Sequence, residues 1–520
     1  MRPFKNEPFA DFSVPKNRLK MENSLAHVKT LLGQEYPLII ADKKIKATET
    51  FVSYNPAQTG EQIGIFQKGT TELCAKAMES ALLTFESWKN VPAPKRAQFL
   101  FKMAHLMRQK KEELCAWLIY EVGKSWREAD GDVCEAIDFL EYYGREMLRL
   151  SASPTRGPKL ASIPSEKNKL HYIPLGVGVI IAPWNFPLAI LVGMSSAAIV
   201  TGNTVVIKPS TDAPTIAYQF MKIAEEAGLP PGVINFVSGS GSVVGNFLIK
   251  HPKTRFISFT GSKDVGIQIN ELASRVPPDQ KWLKRVVLEM GGKDGIIVDR
   301  EADLEAAAEG IVRSAFGFQG QKCSACSRAI IDEKIYDQLV SKIVQKTEQL
   351  KIGNPKDPAV FLGPIINEAS LTKTKEYLEI GKREGKLLTG GEAQSSPGYF
   401  VKPTIFGDVS PKARLAQEEI FAPVLALIKA KDFDEALTIA NNTDYGLTGA
   451  VYTKNPKKIK KAQESFHVGN LYINRGCTGA LVGVHPFGGF NLSGTDSKAG
   501  GPDYLLLFMQ AKSISERSLK

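Results

Sequence analysis

From about Thr70 to Arg149 the apolar residues recur at helical spacing: Phe99, Met103, Leu106 and Met107 fall on one face, and Ile137, Leu140 and Met147 repeat the pattern. This predicts a helix-rich opening. The stretch from Ser151 to Lys169 is rich in Ser, Pro and Lys with little periodicity, which reads as a linker or an extended excursion. Beyond it come short apolar runs, at Val177 to Ala182, Thr204 to Ile207, Val233 to Val237, Phe256 to Phe259, Val286 to Leu288 and Gly295 to Val298, with helical spacing from Thr215 to Ala227 among them. Strand and helix alternating at this interval predict a doubly wound parallel sheet. A second alternating block follows: helices at Leu304 to Phe316, Glu333 to Leu350 and Phe433 to Asn441, and strands at Val424 to Ile428 and Gly449 to Tyr452. The fold class is therefore α/β in two domains, and no repeat of solenoid period is present.

One run needs separate treatment. Leu170 to Ile207 contains no Asp, Glu, Lys or Arg, long enough on charge alone to span a bilayer. Pro174, Pro183 and Pro187 would break such a helix, and Gly176, Gly178, Gly193 and Gly202 punctuate it, so buried parallel strands joined by turns are expected instead. With 520 residues and 43% hydrophobic composition the chain can bury sizeable cores. The formal charge of +11 is spread through mixed-sign helix faces such as Arg108 to Glu113, which argues against a nucleic-acid or membrane partner. Six scattered cysteines do not make a disulfide framework, and the N-terminus, with Glu7 and Asp11, resembles neither a signal nor a transit peptide. A cytoplasmic location is the expectation.

Candidate chemistry lies in three places, each with an ordinary structural alternative. Phe316-Gly-Phe-Gln-Gly-Gln-Lys-Cys323 puts a thiol after a glycine-containing turn, where backbone amides can approach an oxyanion; taken singly, an inert buried cysteine has the same appearance. Cys323 and Cys326 form one C-x-x-C pair, but no second pair exists and the six histidines show no ligand spacing, so no metal is expected. Glu289 ends an apolar strand before Gly291-Gly292, where desolvation can raise a carboxylate toward a useful general base; an ion-paired surface Glu is the alternative. Asn185, in Ala182-Pro-Trp-Asn-Phe-Pro187, ends another strand and could donate to a developing oxyanion or simply cap a turn. Phosphate-binding signals are weaker: Thr260-Gly261-Ser262 follows a strand and opens a helix, yet Ile267 stands where a P-loop needs Lys. Lys208-Pro209-Ser210 could set an ammonium near ribose hydroxyls or leave it in water.

In order along the chain, these motifs resemble the aldehyde dehydrogenase superfamily from about residue 40 to the C-terminus. The matching stretches include Trp184 to Pro187, Lys208-Pro209, Phe259 to Ser262, Leu288 to Gly292, the turn to Cys323, Glu418 to Pro423, and Pro486 to Gly489. The resemblance implies that Cys323 attacks an aldehyde, that Asn185 and the Cys323 amide hold the oxyanion, and that Glu289 activates water against the thioester. It implies NAD as cofactor, with Lys208 and Glu419 at the ribose, Gly261 and Ser262 near the pyrophosphate, and Trp184, Leu288 and Phe421 also on the cofactor side. Asn474 to Ala480 and Ser493 to Tyr504 resemble the branch that oxidises glutamate 5-semialdehyde, the open form of 1-pyrroline-5-carboxylate, to glutamate in proline and arginine catabolism. For that branch Ser324, Gly479 and Ala480 would hold the substrate's α-carboxylate, and Phe186 and Phe487 would clamp its aliphatic chain. The alternative is a dehydrogenase of another semialdehyde or an aliphatic aldehyde.

Two positions depart from the pattern. Thr211 stands where many NAD-preferring relatives carry a Glu that repels a 2′-phosphate, which leaves NADP possible. Asp496 stands where some relatives have Gly. The resemblance also implies a Rossmann-like cofactor domain (1–150 and 173–287), an α/β catalytic domain (288–480) and a small oligomerisation element (151–172 and 503–520). A small-molecule substrate and a homo-oligomer with a dimer as its smallest unit complete the expectation.

Overall fold

The computed structural model describes residues 3–152 and 160–517. Residues 153–159, inside the expected linker, and 518–520, at the end of the expected tail, lie outside the described residues. The chain opens with the helix Pro15–Lys29 and a short sheet, and four helices follow, Thr71–Trp88, Ala93–Gln109, Lys111–Val122 and Trp126–Ser151, in the region of helical spacing.

The first seven-stranded sheet runs in the order Arg285–Glu289, Phe256–Thr260, Val177–Ile181, Thr204–Lys208, Ile234–Phe236, Leu38–Ile40, Lys43–Ile45. Its first five strands are parallel. They are short and apolar because helices cover both faces. The charge-free run proves to hold three strands and, between the last two, a helix, rather than strands joined by turns alone. The helix Ala189–Val200 is buried at every position but Ile190. A helix enclosed on all sides shows no amphipathic stripe, so the pattern concealed it.

The second seven-stranded sheet runs Lys386–Thr389, Thr404–Gly407, Val424–Ala430, Cys326–Asp332, Asp294–Val298, Thr448–Tyr452, Asn470–Ile473. All pairings are parallel except at the edge strand Lys386–Thr389. Successive residues enter different cores: Ile297, Ile330, Ile428 and Val451 pack on one face, and Ile296, Ile331, Leu427 and Ala450 on the other.

The two sheets meet in a way that places the chemistry. Glu289 and Lys208 end strands of the first sheet, Gly261 follows the strand Phe256–Thr260 and Asn185 follows Val177–Ile181, so all four lie at C-terminal strand ends. Cys323 and Phe421 precede Cys326–Asp332 and Val424–Ala430, at N-terminal ends of the second sheet. Met290 to Lys293 carries the chain directly from one set of ends to the other. A crevice at carboxyl ends of parallel strands is where open α/β sheets hold ligands.

A third element stands apart from both sheets. Glu166–Pro174 pairs antiparallel with Met509–Arg517, from Glu166 with Arg517 to Pro174 with Met509. The unperiodic stretch, expected as a linker or an extended excursion, is extended as a strand from Glu166. The turn Tyr504–Phe508 before the second strand packs inward, with Tyr504 stacked on Tyr143 at 5.4 Å. No helix among the described residues is long and apolar enough to cross a membrane.

Candidate active site

The turn before Cys323 is held under strain. After the helix Leu304–Phe316, Phe318 (φ 49°) and Gln319 (φ 58°) adopt left-handed backbone, which is costly for residues with side chains. The cost is offset by bonds to distant loops: Gln319 Nε2 donates to the Gly123 carbonyl (3.2 Å) and the Pro364 carbonyl (2.7 Å), and Ile366 N donates to Gln321 Oε1 (2.9 Å). Cys323 is partly accessible. Burial of the sulfur pushes its thiol well above the usual range, and the carboxylates of Asp294, Glu289 and Glu419 push the same way. At neutral pH it is a thiol, and a nucleophile only when a base takes its proton.

Glu289 is held by the C-terminal segment. Thr495 N donates to the Leu288 carbonyl (2.9 Å), Leu288 N donates to Thr495 Oγ1 (3.0 Å), and Met290 N donates to the Ser493 carbonyl (2.7 Å), so this segment runs beside the strand Arg285–Glu289. Ser497 Oγ donates to Glu289 Oε1 at 2.6 Å, while Oε2 is buried with no donor among the described residues. Burial raises the carboxyl to about 8, against the opposing pull of the Ser497 bond. The Gly-Gly turn that follows is required by close approach. A side-chain carbon at Gly291 would lie 2.3 Å from the Glu419 carboxylate, and one at Gly292 2.3 Å from the Cys323 carbonyl oxygen. The glycines therefore bring Glu289, Cys323 and Glu419 together.

Asn185 is buried and points at the same turn. Its Nδ2 donates to the Gln321 carbonyl (3.2 Å), and its Oδ1 accepts from Phe186 N (3.1 Å). Two protons sit on Nδ2, so one remains for another acceptor. Phe186 packs edge-on to Phe318 at 6.2 Å, and the buried ammonium of Lys124 lies 3.7 Å from the Phe186 ring centre. Lys124 pairs with Asp132 at 3.0 Å with both side chains fully buried, and Asp132 also accepts from Ala189 N (2.7 Å), the first residue of the enclosed helix.

The residues expected on the cofactor side border the crevice. Lys208 is buried, donates only to the Pro209 carbonyl (2.9 Å), and has no carboxylate at ion-pair distance among the described residues. Burial lowers it to about 8. A buried ammonium with unused donors suits a hydroxyl-bearing ligand. Glu419 Oε1 accepts from Gly292 N (2.9 Å), and burial raises its carboxyl. Ser262 caps the helix Lys263–Ser274 by accepting from Val265 N, and Gly261 N donates to the Glu289 carbonyl (3.0 Å), which sets this helix start beside Leu288 and Glu289. Trp184 and Phe421 meet edge-to-face at 5.4 Å, with Phe421 in left-handed backbone (φ 62°). These features fit a dinucleotide: a helix N-terminus for phosphate, a buried ammonium and carboxylate for hydroxyls, and aromatic walls.

The loop expected to take a carboxylate adjoins the nucleophile, since Cys477 Sγ donates to the Ser324 carbonyl at 3.3 Å. Gly479 is left-handed (φ 77°) and exposed, and Ala480 follows. Phe487 sits on a separate loop, exchanging backbone bonds with Ala499 (2.8 and 2.7 Å), and among the described residues no ring contact joins it to Phe186. Cys326 does not face outward with Cys323; it is buried on its strand, its Sγ 3.5 Å from the Arg328 carbonyl. Asp496 takes a left-handed backbone (φ 52°), a state Asp tolerates better than most residues, and pairs with Lys498 at 2.9 Å.

Several neighbours escaped the sequence reading. Ser497 was quoted only as part of a motif, and nothing local marks it as the partner of Glu289. Lys124 follows Gly123 on an unremarkable helix end, and Asp294 follows the Gly-Gly turn; its Oδ1 accepts from Thr448 N at 2.7 Å. Burial is the one feature they share, and it is not visible at single positions.

Two sheets meeting end to end around a thiol, an amide and a buried carboxyl define an aldehyde-oxidising class of protein, and the chain belongs to the aldehyde dehydrogenase family, whose model matches residues 44–514. Its relatives are narrower than that class. It is 56% identical over 516 residues to the 1-pyrroline-5-carboxylate dehydrogenase of Anoxybacillus flavithermus, covering 99% of each chain. The structure of 1-pyrroline-5-carboxylate dehydrogenase from Thermus with bound NAD superposes with a TM-score of 0.97 at 48% identity over 100% of both chains. Proline utilization A from Bdellovibrio bacteriovorus is 44% identical with a TM-score of 0.97, and there the chain spans 54% of the longer protein.

Proposed function

We propose that this protein oxidises glutamate 5-semialdehyde, formed by opening of 1-pyrroline-5-carboxylate, to glutamate with NAD, through a thioester on Cys323. The observation that carries the mechanism is the close approach at Gly291-Gly292, which brings the turn of Cys323 to the strand end of Glu289, a buried carboxyl whose Oε2 has no donor among the described residues. The substrate assignment rests on the relatives and on the loop at Gly479 beside Ser324.

Cys323, partly accessible, gives its proton to solvent water, and its sulfur adds to the aldehyde carbon as the C=O π pair moves onto oxygen, giving a thiohemiacetal oxyanion. The developing oxyanion takes the second Nδ2 proton of Asn185 and the Cys323 amide, donors already fixed before reaction. Lys208, Glu419, Gly261, Ser262, Trp184, Leu288 and Phe421 would hold NAD, which would supply the hydride acceptor that turns the thiohemiacetal into a thioester. Glu289 Oε2 then takes a proton from water as the water oxygen attacks the thioester carbon; the C–S bond breaks, the Glu289 proton passes to the leaving thiolate, and the thiol and carboxylic acid are released. Ser324 and the amides of Gly479 and Ala480 hold the α-carboxylate, and Phe186 and Phe487 enclose the chain between the two polar ends.

The first sheet serves as cofactor domain, the second as catalytic domain, and the ribbon of Glu166–Pro174 with Met509–Arg517 as oligomerisation element. Two paired strands alone are marginal in water and leave open edges, so the ribbon calls for a second copy. A homodimer is the smallest unit expected in light scattering at micromolar concentration; a monomer would contradict it.

Steady-state reduction of NAD, and of NADP beside it because Thr211 places no acid against a 2′-phosphate, tests the substrate. Pyrroline-5-carboxylate should be preferred over succinate semialdehyde and an unsubstituted aliphatic aldehyde. Preference for either of the others would remove the roles given to Ser324, Gly479 and Ala480.

A further inference from the structure

The loop assigned to the substrate carboxylate is held from behind by one cation. Arg475 Nη2 donates to the Thr478 carbonyl at 2.7 Å and to the Gly479 carbonyl at 3.1 Å. In a trans peptide unit the C=O and N–H point to opposite sides. The Thr478 carbonyl shares its plane with the Gly479 amide, and the Gly479 carbonyl with the Ala480 amide. Drawing both carbonyls onto one guanidinium therefore turns both amides away from it. The left-handed Gly479 (φ 77°) is the backbone state in which successive amides can converge on one anion.

The guanidinium is itself fixed. It lies 4.5 Å from the Tyr472 ring centre, and Nη1 is 3.5 Å from His485 Nε2. His485 Nδ1 accepts from Leu481 N at 3.1 Å, so the same assembly ties down the far end of the loop. Among the described residues no carboxylate lies at ion-pair distance from Arg475. Its charge is thus left to polarise the two peptide units it holds.

We propose that Arg475 is the positioning residue for substrate selection: it aims and strengthens the Gly479 and Ala480 amides, and so sets the preference for aldehydes that carry an α-carboxylate. The proposal rests on the substrate reading above. Arg475 touches no reacting atom, so its effect is confined to recognition.

The test uses the full chain with Arg475→Met, which keeps the apolar stem, and Arg475→Lys, which keeps the charge without the planar fork. KM and kcat are measured for pyrroline-5-carboxylate and for an aliphatic aldehyde lacking a carboxylate, together with inhibition by glutamate. Arg475→Met should raise KM for pyrroline-5-carboxylate and the inhibition constant for glutamate together, by roughly tenfold or more, with the aliphatic aldehyde unaffected. Arg475→Lys should fall between, and gives the same split if the methionine variant does not fold. Unchanged constants, or equal losses on both aldehydes, would overturn the proposal. A wild-type enzyme without preference for pyrroline-5-carboxylate would instead sink the substrate reading, whereas a preference retained in Arg475→Met would sink this one alone.

Discussion

Ser497 Oγ donates to Glu289 Oε1 at 2.6 Å, joining residues 208 positions apart in the chain. The bond occupies one carboxyl oxygen and leaves the other without a donor among the described residues, so it orients the base without consuming it. It also opposes the burial that raises Glu289 to about 8. A general base is active in its ionised form, and here that form accumulates as pH rises through about 8.

The rate of thioester hydrolysis should accordingly increase with pH through that value. Ser497→Ala removes the hydrogen bond that favours the carboxylate, which should move the apparent pKa in the kcat profile further upward, by about one unit. A profile unchanged in the variant, or shifted toward acid, would count against this role for Glu289.

Asn185→Ala deletes a fixed donor to the oxyanion. The expected loss in kcat is on the order of a hundredfold, with NAD affinity retained, because the donor is engaged chiefly in the transition state. Comparison of kcat with the NAD dissociation constant separates this from general disruption, which would weaken both.

Removing Asp132 would strand the Lys124 ammonium in a fully buried site against Phe186. Asp132→Ala should lower stability by about 3–5 kcal/mol in denaturant titration. Asp132→Asn, which keeps an acceptor for Ala189 N, should lose less. Equal losses would show that the acceptor for Ala189 N contributes little beside the lost charge, and a negligible loss in Asp132→Ala would show that the ion pair contributes little.

What was legible in the sequence follows from what repeats locally. The helices Leu304–Phe316 and Phe433–Asn441 match their spacing to the residue, because each shows one face to a sheet and one to water. Ala189–Val200 did not, since enclosure erases the stripe. Met509–Arg517 did not either: it is exposed along nearly its whole length, so no alternation marks it. At the site, Cys323, Glu289 and Asn185 are marked by glycines, strand ends and order along the chain. Ser497 and Lys124 act through contacts that depend on chain packing, and their neighbours in sequence carry no sign of them; Arg475 contacts Thr478 and Gly479 close by, but no residue pattern marks the turn that brings them onto it.

The most direct test of the thioester mechanism is a single-turnover experiment with Glu289→Gln, NAD and pyrroline-5-carboxylate, followed by mass analysis of the peptide containing Cys323. The account predicts a rapid burst of about one NADH per site, little further turnover, and an acyl adduct on Cys323 that is absent in Cys323→Ala. Sustained turnover at the wild-type rate, or a burst without an adduct on Cys323, would contradict it.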